Sequence, residues 1–328
     1  MPVSYRRPRA LSPIPLRMPA EPTLALLPNP VLRYFLATRP PFLSVSFFAA
    51  LIGIAAAYCD SVAISPLTAC ASVAFALVAH AAVNVLNDYY DELNGTDRLN
   101  TERLFPFTGG SRFIQNGVIS ARATLVFGLA LLAVTIGAGL WLTAITGVGL
   151  LWIGMAGCFI GWAYSGTPLK LNGRGFGEPC VAIGFGLIAV GTDYVQRKAF
   201  APLPVTAVTS YALLVMNILY INQFPDLKAD QAAGKHHWVV RLGTRVAPGG
   251  YAAIGAIAYL WLVSAVFAGS LPKLALVPLV TVLLTAGAAR QLFAHAAEPA
   301  RLEGAIKQTI GAANAHGLLM ALALFFGR

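Results

Sequence analysis

The sequence has few charged residues and especially few acidic ones. Only 11% of its 328 residues are charged, and 13 are Asp or Glu, whereas a soluble domain carries about 25% charged residues. The mean hydropathy is +0.70. These values exclude an ordinary soluble domain and indicate a protein that crosses a membrane several times. The alternating pattern of a membrane β-barrel is also missing, so the spans are predicted to be helices.

Cysteine is scarce as well. The four residues Cys59, Cys70, Cys158 and Cys180 do not show the spacing of a metal site. Cys59 and Cys70 flank the first predicted external turn and could form a disulfide. Buried free thiols are the favoured interpretation.

Long apolar stretches dominate the rest of the chain. Nine of them approach the length of about 20 residues that a helix needs to span a bilayer. They lie near 40–58, 67–87, 122–141, 144–164, 179–196, 205–224, 249–268, 272–293 and 305–325. The predicted fold is therefore all-α, a bundle of about nine transmembrane helices with a central cavity that faces the cytoplasm.

The basic residues predict the orientation of this bundle. If the N-terminus is cytoplasmic, 19 of the 23 Lys and Arg residues fall on the cytoplasmic side. The C-terminus is then outside, and a bacterial-type inner membrane is expected. The net charge of +10 is explained by this topology and by contact with anionic lipid. It is not a nucleic-acid signal, because the charges are spread over several loops without a binding motif.

Two regions are expected along the chain. Residues 1–34 are rich in Pro and Arg and lack an apolar core directly after the charges, so they are interpreted as a flexible cytoplasmic tail rather than a signal peptide. Residues 35–328 are expected to form a single transmembrane domain.

Two acidic clusters stand at matching positions after the second and sixth apolar stretches. Asn84, Asp88 and Asp91 are spaced i, i+4 and i+7, which places them on one helical face. Asn222, Asp226 and Asp230 are spaced i, i+4 and i+8, on one face again. Carboxylates next to hydrocarbon are costly and usually functional. The matching register, 138 residues apart, suggests a weak internal duplication.

Three loops on the same predicted side carry further polar groups. The segment 106–112, Pro-Phe-Thr-Gly-Gly-Ser-Arg, offers hydroxyls, close backbone approach and one guanidinium, which are means of holding a phosphate. In the second loop, Lys170 and Arg174 are either diphosphate ligands or plain cytoplasmic charges. Tyr164 either offers its ring to a developing cation or anchors the interface. The third loop contains Lys235.

Together these features favour a site for a diphosphate that carries a long hydrocarbon. Mg²⁺ commonly binds through one or two carboxylates together with substrate phosphates. A transporter is a less favoured alternative, because the charges cluster at one face rather than deep within the spans. A phosphatidyl-transferring lipid synthase is also less favoured, since its compact acidic motif is missing.

These motifs resemble the UbiA superfamily of intramembrane prenyltransferases, over about residues 35–325. Within that superfamily, the segments 87–97, 106–112 and 226–243 are most similar to 1,4-dihydroxy-2-naphthoate polyprenyltransferases of menaquinone synthesis. The resemblance implies Mg²⁺-dependent transfer of a polyprenyl group from an allylic diphosphate to an aromatic acceptor. The expected partners are these two substrates and membrane lipid.

The resemblance also implies roles for individual residues. Asp88 and Asp91 would bind one Mg²⁺ with support from Asn84, and Asp226 and Asp230 a second with support from Asn222. The two Asn residues are placed with the diphosphate-binding groups. The other residues expected to bind the diphosphate are Arg112, Lys170, Arg174 and Lys235. Tyr164 would stabilise the allylic cation.

The sequence departs from the naphthoate pattern in two places. The first is Asn222-Gln223-Phe224-Pro225. The second is His236-His237-Trp238, which follows Gly234-Lys235, where the naphthoate pattern favours a short polar residue and Leu. The acceptor therefore stays open: dihydroxynaphthoate is favoured, and 4-hydroxybenzoate or another quinone precursor is the alternative. Prenyl length, oligomeric state and the roles of Asp97, His236 and His237 are not indicated.

Overall fold

The computed structural model describes residues 20–328, and within them the chain forms helices and no strand. The α-helices are α1 (Pro30–Ala37), α2 (Pro40–Cys59), α3 (Pro66–Asn94), α4 (Thr96–Leu99), α5 (Ala121–Thr146), α6 (Gly149–Ser165), α7 (Gly177–Arg197), α8 (Pro202–Ala232), α9 (Trp238–Phe267), α10 (Val282–His295) and α11 (Glu303–Phe326). Short 3₁₀ helices cover Leu171–Arg174, Lys273–Thr281 and Pro299–Arg301. The predicted all-α membrane bundle is confirmed.

Eight helical segments in the described part of the chain are long and apolar enough to cross a membrane. All nine predicted apolar stretches lie on helices, but α6 has only 17 residues and falls short of the usual length. The eighth stretch begins as the 3₁₀ helix Lys273–Thr281 and continues as α10. Pro278 lies in that first part and has no N–H to donate. The number of nine crossings stays a prediction.

The centre of the bundle is built from α2, α7, α8, α9 and α11 around a shared apolar core. The Tyr211 hydroxyl on α8 donates to the carbonyl of Val45 on α2 at 2.6 Å. Small residues allow α2 and α7 to approach closely, as is common in membranes. A Cβ at Gly53 would lie 2.0 Å from the Ala189 carbonyl oxygen, so no larger residue fits there without movement.

The helices α3 and α8 carry the acidic clusters near their C-terminal ends. Helix α3 ends at Asn94 because Gly95 adopts a left-handed conformation with φ of 82°, a common helix stop. The short helix α4 follows and contacts α8. Helix α8 continues through Pro225 to Ala232, and both acidic clusters therefore reach the same end of the bundle.

The described part of the predicted tail packs against the loop that follows α4. Glu21 forms an ion pair with Arg103, at 2.6 Å between Oε1 and Nη2, and accepts a hydrogen bond from Asn116. Residues of α1 pack on Phe113 and its apolar neighbours. Helix α1 (Pro30–Ala37) extends across the predicted boundary at residue 34. Residues 1–19 of the predicted tail lie outside the described residues.

At the opposite end of the bundle, Arg197 pairs with Asp193 and Asp60, each at 2.8 Å. All four cysteines are free thiols, so Cys59 and Cys70 do not pair in this structure. Buried free thiols were favoured for Cys59 and Cys70, but Cys59 is only half-buried and Cys70 is exposed. Cys70 lies on an outward face of α3, where an apolar side chain does not have to be buried within the bundle.

Candidate functional site

A polar pocket of about 140 Å³ lies where the ends of α3 and α8 meet the loop 107–110. It is lined by six of the predicted site residues: Asp91, Tyr164, Asn222, Asp226, Asp230 and Lys235. The structure therefore brings groups from both acidic clusters into one cavity. Asp88 is buried directly beside it and contacts the lining residue Arg39.

Lys235 joins the two clusters. Its Nζ lies 3.1 Å from Oδ1 of Asp91 on α3 and 3.2 Å from Oδ1 of Asp230 on α8. Burial disfavours the ammonium, but the two carboxylates outweigh burial and raise the pKa of Lys235. The side chain therefore stays charged and places a cation at the centre of the pocket.

Asp88 is paired with a second cation, the guanidinium of Arg39. The Arg39 guanidinium forms an ion pair with Asp88, and the backbone N–H of Ser111 donates to the same carboxylate at 3.3 Å. Arg39 precedes α2 in a left-handed conformation with φ of 56°, which aims its side chain toward α3. Burial opposes the charge, yet Asp88 and Asp97 raise the pKa of Arg39 overall.

Asp226 receives hydrogen bonds from the segment that follows α4. The Asn100 amide donates to Oδ1 at 2.5 Å, and the backbone N–H of Gly109 donates to Oδ2 at 3.4 Å. The predicted phosphate loop thus contacts the second acidic cluster. A Cβ at Gly110 would lie 2.2 Å from Oδ2 of Asp97, and the φ of 75° also favours glycine. The close approach to Asp97 therefore requires glycine at position 110.

Asp97 also lines the pocket and is 3% exposed. Burial, together with Asp91 and Asp88, raises the pKa of Asp97, although Arg39 and Lys235 act in the opposite direction. Arg112 donates to the backbone carbonyl of Asp97 and does not line the pocket. In this structure Arg112 therefore holds the loop.

Lys170 and Arg174 lie away from the pocket. Both side chains are exposed, and Arg174 donates to the Pro168 carbonyl at 2.9 Å. The same loop still reaches the site through Asn172, which lines the pocket. The Ser165 hydroxyl accepts hydrogen bonds from Asn87 at 2.8 Å and Asn172 at 3.4 Å, and this joins α3 to the loop beside Tyr164.

The two Asn residues of the motifs occupy different environments. The Asn84 amide donates to the Thr38 carbonyl at 3.0 Å, directly before Arg39, and does not line the pocket. Asn222 lines it and donates to the Phe107 carbonyl at 3.2 Å. The Asn222 Oδ1 is buried without a hydrogen-bond donor. The second motif therefore presents a free oxygen acceptor that the first does not.

The residues of the site that the sequence did not identify include Arg39, Asn100 and His237. Arg39 counted only as one of the cytoplasmic charges. Asn100 lies outside every recognised motif. In the sequence, His237 is a departure from the naphthoate pattern and has no predicted role. In the structure its Nε2 lies 3.0 Å from Oδ2 of Asp230.

The pocket residues fit a magnesium ion that shares its coordination with a substrate. Among the described residues there is no group of three His, Cys, Asp or Glu side chains placed to hold a metal alone. Mg²⁺ does not need such a cage, since it binds through one or two carboxylates plus phosphates and water. The available donors are oxygens, including the buried and unpartnered Oδ1 atoms of Asn100 and Asn222.

The chain is similar to curated enzymes of naphthoate prenylation. It is 33% identical over 173 residues to the 1,4-dihydroxy-2-naphthoate octaprenyltransferase of Mycobacterium leprae, covering 52% of this chain and 55% of the relative. It is 28% identical over 234 residues to that of Bacillus subtilis, covering 71% of this chain and 73% of the relative. The chain thus spans little more than half the length of the former.

Solved structures share the fold. A UbiA homologue from Aeropyrum pernix K1 superposes with a TM-score of 0.61 at 18% identity, over 84% of this chain and 97% of that one. A UbiA homologue from Archaeoglobus fulgidus bound to DMAPP and Mg²⁺ gives 0.56 at 16% identity, over 89% and 99%.

The family model described as the UbiA prenyltransferase family matches residues 46–302. This range runs from the middle of α2 past the end of α10 and contains both acidic clusters, the glycine loop and Lys235. The resemblance drawn from the motifs is confirmed, and the chain belongs to the UbiA prenyltransferase family.

Proposed function

We propose that the protein transfers a polyprenyl group from an allylic diphosphate to 1,4-dihydroxy-2-naphthoate, with loss of the carboxylate as carbon dioxide. The observation that carries this proposal is the meeting of both acidic clusters around Lys235 in one pocket. The naphthoate octaprenyltransferases among the relatives support the choice of acceptor. The Archaeoglobus homologue bound to DMAPP and Mg²⁺ supports the choice of donor and metal.

The diphosphate is proposed to bind at the Lys235 ammonium. A buried cation at this position attracts the diphosphate and stabilises the charge that gathers on it as the allylic carbon–oxygen bond breaks. The electron pair of that bond stays with the departing diphosphate. Asn222 and the backbone of the 107–110 loop border the same space and restrict the orientation of the phosphates.

Asp88, Asp91, Asp226 and Asp230 are proposed to hold Mg²⁺, as two ions. When bound, Mg²⁺ neutralises the diphosphate and makes it a better leaving group. Arg39 and Lys235 now neutralise three of these carboxylates. The Arg39 and Lys235 side chains therefore have to share or give up these carboxylates when Mg²⁺ and the diphosphate bind.

Tyr164 is proposed to steady the allylic cation with the face of its ring. An electron-rich carbon of the acceptor ring then attacks the cation, and with dihydroxynaphthoate carbon dioxide leaves. The surrounding bundle excludes water, which would otherwise capture the cation. Arg112, Lys170 and Arg174 were predicted as diphosphate ligands. For Lys170 and Arg174 this role requires their exposed side chains to move toward the pocket.

The active-site end of the bundle is proposed to face the cytoplasm of a bacterial-type inner membrane. The bias of basic residues carries this orientation. The C-terminus is then on the outer side if all nine apolar helices cross the membrane.

The test uses purified protein in liposomes with Mg²⁺ and a long-chain allylic diphosphate. Dihydroxynaphthoate and 4-hydroxybenzoate are supplied in separate reactions, and the products are identified by mass spectrometry. We expect a prenylated, decarboxylated naphthol product. A prenylated hydroxybenzoate in its place would assign the protein to the alternative acceptor, and no diphosphate release with either would contradict prenyl transfer itself.

A further inference from the structure

His237 contacts both the second acidic cluster and the start of α9. It lies between α8 and α9, is 2% exposed and lines the pocket. Its Nε2 lies 3.0 Å from Oδ2 of Asp230. Its Nδ1 accepts from the backbone N–H of Val240 at 3.4 Å, as the N-cap of α9.

These two contacts determine which nitrogen carries the proton. The Nδ1 atom accepts a hydrogen bond, so the neutral ring has its proton on Nε2, which donates it to Asp230. Neither nitrogen is then free to bind a metal. Both polar atoms of this buried ring are satisfied, as burial requires.

The two oxygens of Asp230 have different partners. Oδ2 faces His237, while Oδ1 lies 3.2 Å from Nζ of Lys235. Asp230 is also only two residues from the end of α8, where helices fray. The hydrogen bond from His237 therefore fixes the rotation of this carboxylate and keeps Oδ1 directed toward the pocket.

We propose that His237 is a positioning residue that orients the Asp230 carboxylate for a divalent cation, an inference that rests on the proposed function. A Ser or Thr at this position could cap α9 equally well. It would be too short to reach Asp230, which lies at the end of the previous helix. The imidazole performs both tasks because its two nitrogens point in different directions.

Two substitutions separate the tasks. His237→Asn keeps an acceptor near the position of Nδ1 and removes the donor to Asp230. His237→Gln keeps a donor near the position of Nε2 and removes the short cap. His236→Asn is the matched control, because His236 is the adjacent exposed residue and forms its hydrogen bonds through its backbone.

The experiment measures Mn²⁺ binding, with Mn²⁺ as a probe for Mg²⁺, to the full-length protein in lipid nanodiscs at a fixed concentration of inorganic diphosphate, which supplies the phosphate oxygens that the metal shares with the pocket. The same solution without protein gives the background of Mn²⁺ bound by diphosphate alone. The signal of free Mn²⁺ in electron paramagnetic resonance gives the dissociation constant. The melting temperature is measured in EDTA. We expect His237→Asn to weaken Mn²⁺ binding roughly 10- to 100-fold, the usual effect of losing a partner that orients a metal ligand, in a protein that still unfolds cooperatively.

His237→Gln is expected to bind Mn²⁺ like the wild type but to melt at a lower temperature, and His236→Asn to match the wild type in both. Mn²⁺ binding by His237→Asn that equals that of the wild type would overturn the inference and leave His237 as a cap alone. A wild-type protein that does not bind Mn²⁺ would overturn the proposed metal dependence as well.

Discussion

The Nζ of Lys235 lies 3.1 Å from Oδ1 of Asp91, although one follows α8 and the other lies near the end of α3. The same nitrogen contacts Asp230. One buried ammonium thus joins the two halves of the site. It is also the group best placed to exchange a carboxylate for a phosphate oxygen.

Replacing Lys235 with Met is expected to lower kcat/KM for the allylic diphosphate roughly 100-fold or more, the scale seen when one donor to a developing anion is removed. Much of the loss should appear in KM, because the ammonium also attracts the substrate before reaction. The rate of diphosphate release at varied substrate concentration measures both constants. Lys307→Met is the comparison, since its side chain is exposed and pairs with Glu303 on its own helix, outside the pocket. Equal losses in both variants would contradict the central place of Lys235.

The carboxylates of both clusters are expected to be indispensable. Asp88→Ala and Asp226→Ala should each abolish prenyl transfer, because each removes an oxygen ligand from a different helix. Both proteins should still insert into the membrane, which fractionation and yield of folded protein measure. Glu298→Gln serves as the control, because Glu298 is exposed and pairs only with residues of its own turn. Activity retained in either Ala variant would refute the two-cluster arrangement.

Metal removal gives an independent prediction. Excess EDTA should stop diphosphate release, and added Mg²⁺ or Mn²⁺ should restore it, because the available donors are oxygens that suit both ions. Ca²⁺ should restore it poorly, since it requires more ligands and longer bonds than this pocket offers. Full activity in EDTA would show that Lys235 and Arg39 alone carry the charge of the diphosphate.

Gly110→Ala tests the contact between the glycine loop and Asp97. The new Cβ would overlap Oδ2 of Asp97, at 2.2 Å, and displace the loop from the pocket. Gly117→Ala is the matched control, since Gly117 has a similar φ of 68° and open space around its Cβ position. Both variants should lose about 1–2 kcal/mol of stability through the left-handed backbone. Only Gly110→Ala should also lose transfer activity, measured against the amount of folded protein.

The helices and the two clusters were predictable because their signals are local. Apolar length identifies a span, and the spacing of Asn84, Asp88 and Asp91 identifies one helical face. The matching pattern at 222–230 identifies its counterpart. A common end of the bundle followed from the basic residues, and the structure brings both clusters to one pocket.

The partners of these carboxylates were not predictable, because they come from distant segments. Arg39 is 49 residues from Asp88, and Asn100 is 126 residues from Asp226. An Arg before an apolar helix has the same local pattern whether it faces lipid headgroups or a buried carboxylate. For Lys170 the loop position predicted a diphosphate ligand, and its side chain is exposed in this structure, so the role stays a prediction.

The pairing of Arg39 with Asp88 has a consequence for the assembly of the protein. A carboxylate left bare at a helix end in the membrane would oppose folding until a metal arrived. With a resident guanidinium at Asp88, the newly inserted chain can complete its bundle while metal and substrate are scarce. Under the proposed function, cation and diphosphate then enter and leave together in each turnover while Asp88 keeps a positively charged partner.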